Sequence, residues 1–359
     1  MITRKKFLTF TATGALAMIL PSALIGCGNE TSTGASGGDD LPDTDLGNSN
    51  TGAPSGEKAP KYNTLTTFLF DTVIEIQANC EQRVLDEAEQ RLIFFENTFS
   101  KTLEGSDIYA VNHAQGNPVE VHEETAKLIE IALEYGRLSD GLFDISIGGV
   151  VDLWDFINGV IPDPEKLAEA LLHVDYRNVV LEGKTVTLLD PLAQIDLGGI
   201  AKGYIADDIA RLLRNEGCTS AFINLGGNVY ALGAKDDGSA WRVGLQDPND
   251  ARGTIIGVVP AKDYSVVTSG INERSFSKDG VTYHHLLDPS TGMPAQNGLA
   301  SATIVSELSV DGDAFTTMTF LMGEEEARHF LEGHPDKKWL FVDTEGSISN
   351  SPDLEVEIL

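Results

Sequence analysis

Cysteine is scarce in this chain, with three residues in 359. Cys27 closes an apolar N-terminal stretch, and Cys80 and Cys218 stand far apart in the sequence. Two distant cysteines make no disulfide framework, and both are expected as buried free thiols. No grouping of cysteine and histidine has zinc spacing, which argues against a zinc site. Positive charge is scarce too: 25 Lys and Arg stand against 55 Asp and Glu, a net charge of −30. A surface of that sign argues against nucleic acid as a partner, because phosphate binding needs a basic face. It also argues against adhesion to anionic lipid by charge. An anionic ligand would need a local positive device. Internal repeats and heptads are lacking.

What is present begins with an address. Arg4, Lys5 and Lys6 precede an apolar stretch over residues 7–25, short for an ordinary membrane span and interrupted by Gly14 and Pro21. It ends in Leu24-Ile25-Gly26-Cys27, which resembles the lipobox of bacterial lipoproteins. In that reading residues 1–27 are a signal peptide, and lipidated Cys27 anchors the chain to the extracytoplasmic face of a bacterial membrane. Arg4-Lys5 also resembles a twin-arginine signal with one arginine replaced. Removal of the leader's three positive charges takes the net charge from −30 to −33. Residues 28–61 are rich in Gly, Ser, Thr, Asn, Asp and Pro and read as a flexible tether. Residues 62–359 are the body, as two lobes or one elaborate domain.

Within the body, residues 66–77 read as a strand. Residues 83–95 and 125–138 read as helices, from the spacing of Leu85, Ala88, Leu92 and Phe95 and of Leu128, Ile131, Ala132 and Tyr135. Ser106 or Asp107 is placed to cap a short segment, and Pro164 to open a helix. A hairpin turning near Gly183 precedes a helix over 200–215, stopped by Gly217. Strands follow at 221–225, 241–245, 255–259, 265–268 and 302–305, then helices at 313–322 and 324–331. Elements mixed without regular βαβ alternation indicate the α+β class.

Asp196-Leu197-Gly198-Gly199-Ile200-Ala201-Lys202-Gly203-Tyr204 joins an apolar run to a helical one. It is neither G-x-x-x-x-G-K-[ST] nor G-x-G-x-x-G. Yet a carboxylate, two glycines and a lysine meet at a helix N-terminus, where N–H groups favour anions and glycine lets a ligand approach the backbone. The segment suits a diphosphate, though a tight strand-to-helix turn would look the same.

Five further segments accompany it in order: Gly141-Leu142-Phe143-Asp144; Asn224-Leu225-Gly226-Gly227-Asn228; Thr268-Ser269-Gly270 with Glu273-Arg274; His285-Leu286-Leu287-Asp288-Pro289-Ser290-Thr291-Gly292; and Asp313-Ala314-Phe315-Thr316-Thr317. Together they resemble the ApbE family of flavin transferases over roughly residues 65–345. The resemblance implies mixed sheets with packed helices and an FAD cleft between two lobes. It implies a magnesium-dependent reaction in which a Thr or Ser hydroxyl of a target protein attacks the FMN-side phosphorus of FAD and AMP leaves. The implied acceptor is an exported or membrane redox subunit with a motif near Asp-x-x-Ser/Thr-Gly-Ala-Thr. Asp288-Pro289-Ser290-Thr291-Gly292-Met293-Pro294 begins similarly but lacks the final pair, so it reads as cofactor site.

By the same resemblance Asp313, Thr317 and the Gly199 carbonyl hold Mg2+. Asp313 and Thr317, four apart, share one face of a helix and offer hard oxygen donors. Asp313 also suits an N-cap before Ala314. Lys202 is assigned to the diphosphate, and Asp196 to the flavin nucleotide or to capping the next helix. Phe70, Thr102, Leu142, Phe143, Asp144, Leu287 and Thr291 are assigned to the cofactor. Thr102 stands where relatives carry an aromatic ring, which weakens stacking from that loop. His285 is the candidate general base with Asp288 beside it, or serves only to orient that turn. Two alternatives remain: an FAD diphosphate hydrolase giving FMN and AMP, and a lipoprotein that binds flavin without chemistry.

Overall fold

The first expected strand is in fact a hairpin. Asn63–Leu69 and Thr72–Ala78 pair antiparallel in register from Asn63 opposite Ala78 to Leu69 opposite Thr72. Phe70 and Asp71 form the turn, at φ 54° and 58°. Two positive φ values give the turn that matches strand twist, usually met by Asn-Gly. A Phe-Asp pair carries no such signal, so the turn was invisible in the sequence. The structure is a computed structural model that describes residues 62–359 apart from Arg252. The leader, Cys27 and the tether lie outside the described residues.

The hairpin begins an eight-stranded antiparallel sheet. Its order is Asn63–Leu69, Thr72–Ala78, Ala221–Leu225, Asn228–Leu232, Tyr264–Gly270, Leu299–Ser306, Lys338–Asp343 and Ile348–Asn350. Side chains alternate across it. Ile223, Leu225 and Ile304 face the main core, which holds Phe95, Ile209, Met318 and Phe320. Phe222 and Val305 face a second core with Trp241, Val243 and Val259. The helices Gln82–Phe99, Ala201–Asn215 and Ser309–Met322 cover the first face. A smaller sheet holding Trp241–Gln246 and Ile255–Ala261 covers the second. The α+β class is observed.

The expected hairpin at Gly183 forms between Val179–Glu182 and Thr185–Leu188. Ser106 caps Asp107–His113 by accepting from Tyr109 N at 3.2 Å. Pro164 opens Pro164–Leu171 behind the Asp163 cap. One boundary differs in a way that matters: the helix expected from Asp313 begins at Ser309. Asp313 therefore lies a full turn inside it and does not cap it.

Candidate active site

Two helices cross at the centre of the site. Ala201–Asn215 will be called the lysine helix and Ser309–Met322 the aspartate helix. Gly203 makes the crossing possible: a Cβ there would lie 2.4 Å from Ser309 O and 2.7 Å from Val310 Cα. Each helix caps the other. Asp313 Oδ2 accepts from Gly203 N at 2.8 Å, in the first turn of the lysine helix. In return, Asp207 accepts from Ser309 N at 2.8 Å and Val310 N at 2.9 Å, at the start of the aspartate helix. Each carboxylate thus lies at a positive helix end. Burial still holds Asp313 above the usual carboxylate range, opposed by Lys202 and the Gly203 N–H. Burial likewise pushes Asp207 up to about 7 against its two N–H donors.

Lys202 Nζ stands 3.6 Å from Asp313 Oδ1. Just before the helix, Gly198 and Gly199 are exposed, and Ile200 offers no side-chain cap. An open backbone, a helix start and an ammonium group therefore share one spot, the device an anion needs on a strongly acidic chain. Asp196 Oδ1 accepts from Gly198 N at 2.7 Å, which forms the turn into the glycine pair. Its Oδ2 meets Lys101 Nζ at 2.9 Å. Lys101 also reaches Asp152 Oδ1 at 2.7 Å and Gly148 O at 3.4 Å. Burial alone would depress the Lys101 ammonium, but Asp196 and Asp152 hold it above its usual value.

Behind Asp313 runs a buried polar chain. Gly226 and Gly227, at φ 66° and 99°, turn the chain between Ala221–Leu225 and Asn228–Leu232 and so place Asn228. Ser265 Oγ lies 2.8 Å from Ser309 Oγ, and Ser309 Oγ donates to Asn228 Oδ1 at 2.6 Å. This directs the Asn228 amide nitrogen towards Asp313. That nitrogen is buried and has no well-formed hydrogen bond among the described residues. Thr317 stands one turn beyond Asp313, its hydroxyl 3.4 Å from Asp313 O. Among the described residues no group of three or more His, Cys, Asp and Glu could hold a metal ion. One carboxylate, a hydroxyl and a backbone carbonyl suit magnesium, which takes few protein ligands and keeps phosphate and water oxygens.

The third wall carries the histidines. His285 N donates to Arg274 O at 3.1 Å, and its Nδ1 is buried without a partner among the described residues. Burial, with the positive Arg274 and Lys202 around it and His284 beside it, pushes His285 down to about 3. It is a neutral imidazole at working pH. His284 Nε2 lies 2.9 Å from Ala295 O. Asp288 Oδ1 takes the N–H and hydroxyl of Ser290, at 2.7 and 2.6 Å. Its carbonyl accepts from Gly292 N at 2.7 Å. Asp288 is therefore a turn builder. Trp154 Nε1 ties that turn down by donating to Gly292 O at 3.0 Å.

A family model described as the ApbE family matches residues 70–341. This chain belongs to the ApbE family. An FAD:protein FMN transferase of Treponema pallidum is 39% identical over 265 residues, covering 69% of this chain and 73% of the relative. One of Escherichia coli K12 is 27% identical, covering 75% and 79%. The crystal structure of an ApbE protein from Thermotoga maritima superposes with a TM-score of 0.75 at 33% identity, covering 81% of this chain and 97% of that one. A flavin transferase ApbE from Vibrio cholerae, at 24% identity and a TM-score of 0.74, shares the fold.

The remaining expected ApbE residues fall into two groups. Phe143 is buried, with its ring 3.5 Å from where a Gly199 Cβ would stand, so it packs beneath the open glycine. Leu287 is buried in a cluster with Val150, Trp154 and Leu167. Asp144 Oδ1 accepts from Ser146 N and Oγ, and its Oδ2 from Tyr176 N at 2.8 Å, so both oxygens brace the chain itself. Leu142 and Phe70 are half-buried, while Thr102 and Thr291 are exposed. Thr102 Oγ1 lies 3.3 Å from Ser100 Oγ, so it braces its own loop. The Phe70 N–H donates to Glu96 Oε1 at 3.1 Å. Sequence reasoning missed Lys101 and Asp207, and quoted Asn228 within a motif without giving it a role. Only the adjacency of Lys101 to the expected Thr102 position could have drawn attention to the first.

Proposed function

We propose that this chain transfers FMN from FAD to a Thr or Ser hydroxyl of an acceptor protein and releases AMP. The observation that carries this reading is the open Gly198-Gly199 turn at a helix start, with Lys202 and Asp313 beside it. The names of its ApbE relatives support the same chemistry. In the transfer, the acceptor oxygen forms a bond to the FMN-side phosphorus. The bond from that phosphorus to the AMP oxygen breaks, and the hydroxyl proton passes to a base. The exposed backbone at Gly199 and the Lys202 ammonium hold the diphosphate and favour its in-line geometry. His285 is the candidate base: it is neutral, and the negative charge of a bound diphosphate would raise its affinity for a proton. Asp313, Thr317 and the Gly199 carbonyl are the residues that would hold Mg2+. When bound, the ion supplies charge neutralisation on the diphosphate.

The acceptor in this reading carries a motif near Asp-x-x-Thr-Gly-Ala-Thr. The enzyme sits at the outer face of a bacterial membrane, with Cys27 lipidated and residues 28–61 as its tether. The test is mass spectrometry of an acceptor incubated with enzyme, FAD and magnesium. A gain of one FMN less water on the threonine, with AMP released, is expected. The folded Asp313→Ala variant should leave the acceptor unmodified. Free FMN and AMP beside an untouched acceptor would favour the hydrolase, and intact FAD would favour a binding protein.

A further inference from the structure

The sequence reading expected two buried free thiols; both are free, Cys218 is buried and Cys80 half-buried, and the fold places them together. Thr72–Ala78 pairs with Ala221–Leu225 so that Ala78 stands opposite Ala221. The pairing continues outward: Asn79 N donates to Ser220 O at 3.0 Å, and the Asn79 side chain bonds Thr219 Oγ1 at 2.9 Å and Ser220 N at 3.0 Å. Cys80 and Cys218 come next beyond this junction, one on each segment. Both backbones are held. Cys80 O accepts from Asn63 Nδ2 at 2.7 Å. Cys218 N donates to Leu213 O at 2.9 Å, behind Gly217 at φ 85°, where the lysine helix ends. The thiols are free and interact with each other, Cys218 buried and Cys80 partly open to solvent.

We propose that Cys80 and Cys218 are a disulfide site that staples the edge hairpin to the end of the lysine helix. The inference stands on these thiols and not on the proposed transfer. The oxidant is a disulfide of a protein or small thiol. Its sulfur–sulfur bond breaks as the more accessible Cys80 forms a mixed disulfide and releases one thiol. Cys218 then attacks Cys80 sulfur and releases the second. Two protons and two electrons pass from the cysteines to the oxidant, which leaves as two thiols. The strand pairing that runs out to Asn79 and Ser220 brings the two segments together at this end. The bond closes a loop of about 140 residues, which constrains the unfolded chain strongly.

The experiment is to refold the full-length chain with oxidised and reduced glutathione, block remaining thiols, and map peptides without reduction. The expected result is a Cys80–Cys218 linked peptide and a Tm higher than that of the reduced chain by on the order of 5 °C. Reductant should abolish the rise, and Cys80→Ser should lack it while matching the reduced chain. Both thiols blocked, glutathione retained on Cys80 alone, or a link through Cys27 would each overturn the proposal.

Discussion

At the scale of single residues, the site depends on groups that direct other groups. In the proposed transfer Asp313 is the carboxylate that would hold Mg2+; Gly203 N fixes one of its oxygens, and the Asn228 amide nitrogen faces it from the other side. Asn228 is a positioning residue: the Ser309 hydroxyl occupies its carbonyl oxygen at 2.6 Å, leaving its nitrogen for Asp313. Residues that orient metal ligands typically matter by about 10–100-fold in affinity or activity. Asn228→Ala and Ser309→Ala should therefore raise the magnesium concentration for half-maximal activity by roughly that factor. Direct Mn2+ titration followed by electron paramagnetic resonance should show the same weakening. A fall in kcat with unchanged metal affinity would remove Asn228 from this role.

At the scale of elements, the decisive contact is the helix crossing. Two helices with partner carboxylates cap each other only while they remain close, and Gly203 sets that distance. A methyl group there meets backbone atoms, which cannot rotate away as a side chain could. Gly203→Ala should destabilise the body by about 1–3 kcal/mol, the usual range for overpacking. It should also weaken Mn2+ binding, because it displaces Gly203 N from Asp313. Chemical denaturation and metal titration check the two effects, and unchanged stability would show that the crossing is not tight.

At the scale of the whole molecule, charge governs the response to pH. The unfolded chain titrates Asp207 near its ordinary 3.8, and the folded chain near 7. The folded state therefore holds this proton more tightly. Its contribution is fully present below about pH 4 and is lost as pH rises towards 7. The swing is on the order of 2–4 kcal/mol after allowance for partial solvent screening. Wild type should lose stability from pH 4 to pH 7 relative to Asp207→Asn, which has no proton to release. Tm measured across that range in both proteins decides the matter, and parallel curves would exclude Asp207 as the source. Asp144 and Asp313, also raised by burial, act in the same direction in both proteins and cancel in the comparison.

By itself the sequence determined the chemistry on offer and much of the element order. Glycines, a lysine and a carboxylate within residues 196–203 suit the anion site proposed here, because helix-start geometry and side-chain type are local properties. Helical spacing located most helices for the same reason, and the α+β class followed from the mixture. Tertiary structure alone decided which groups meet. Asp313 and Gly203 are 110 residues apart, and Asn228 and Ser309 are 81 apart. No periodicity links positions so distant. The Phe70-Asp71 turn was hidden because its conformation is imposed by strand pairing, against residue preference. The alternative reading of Asp313, as a cap for its own helix, fails: it caps a neighbour, because its helix begins four residues earlier than its pattern suggests. The nearness of the two cysteines was not legible because chain distance says nothing of strand register, which depends on how one face of a sheet is buried.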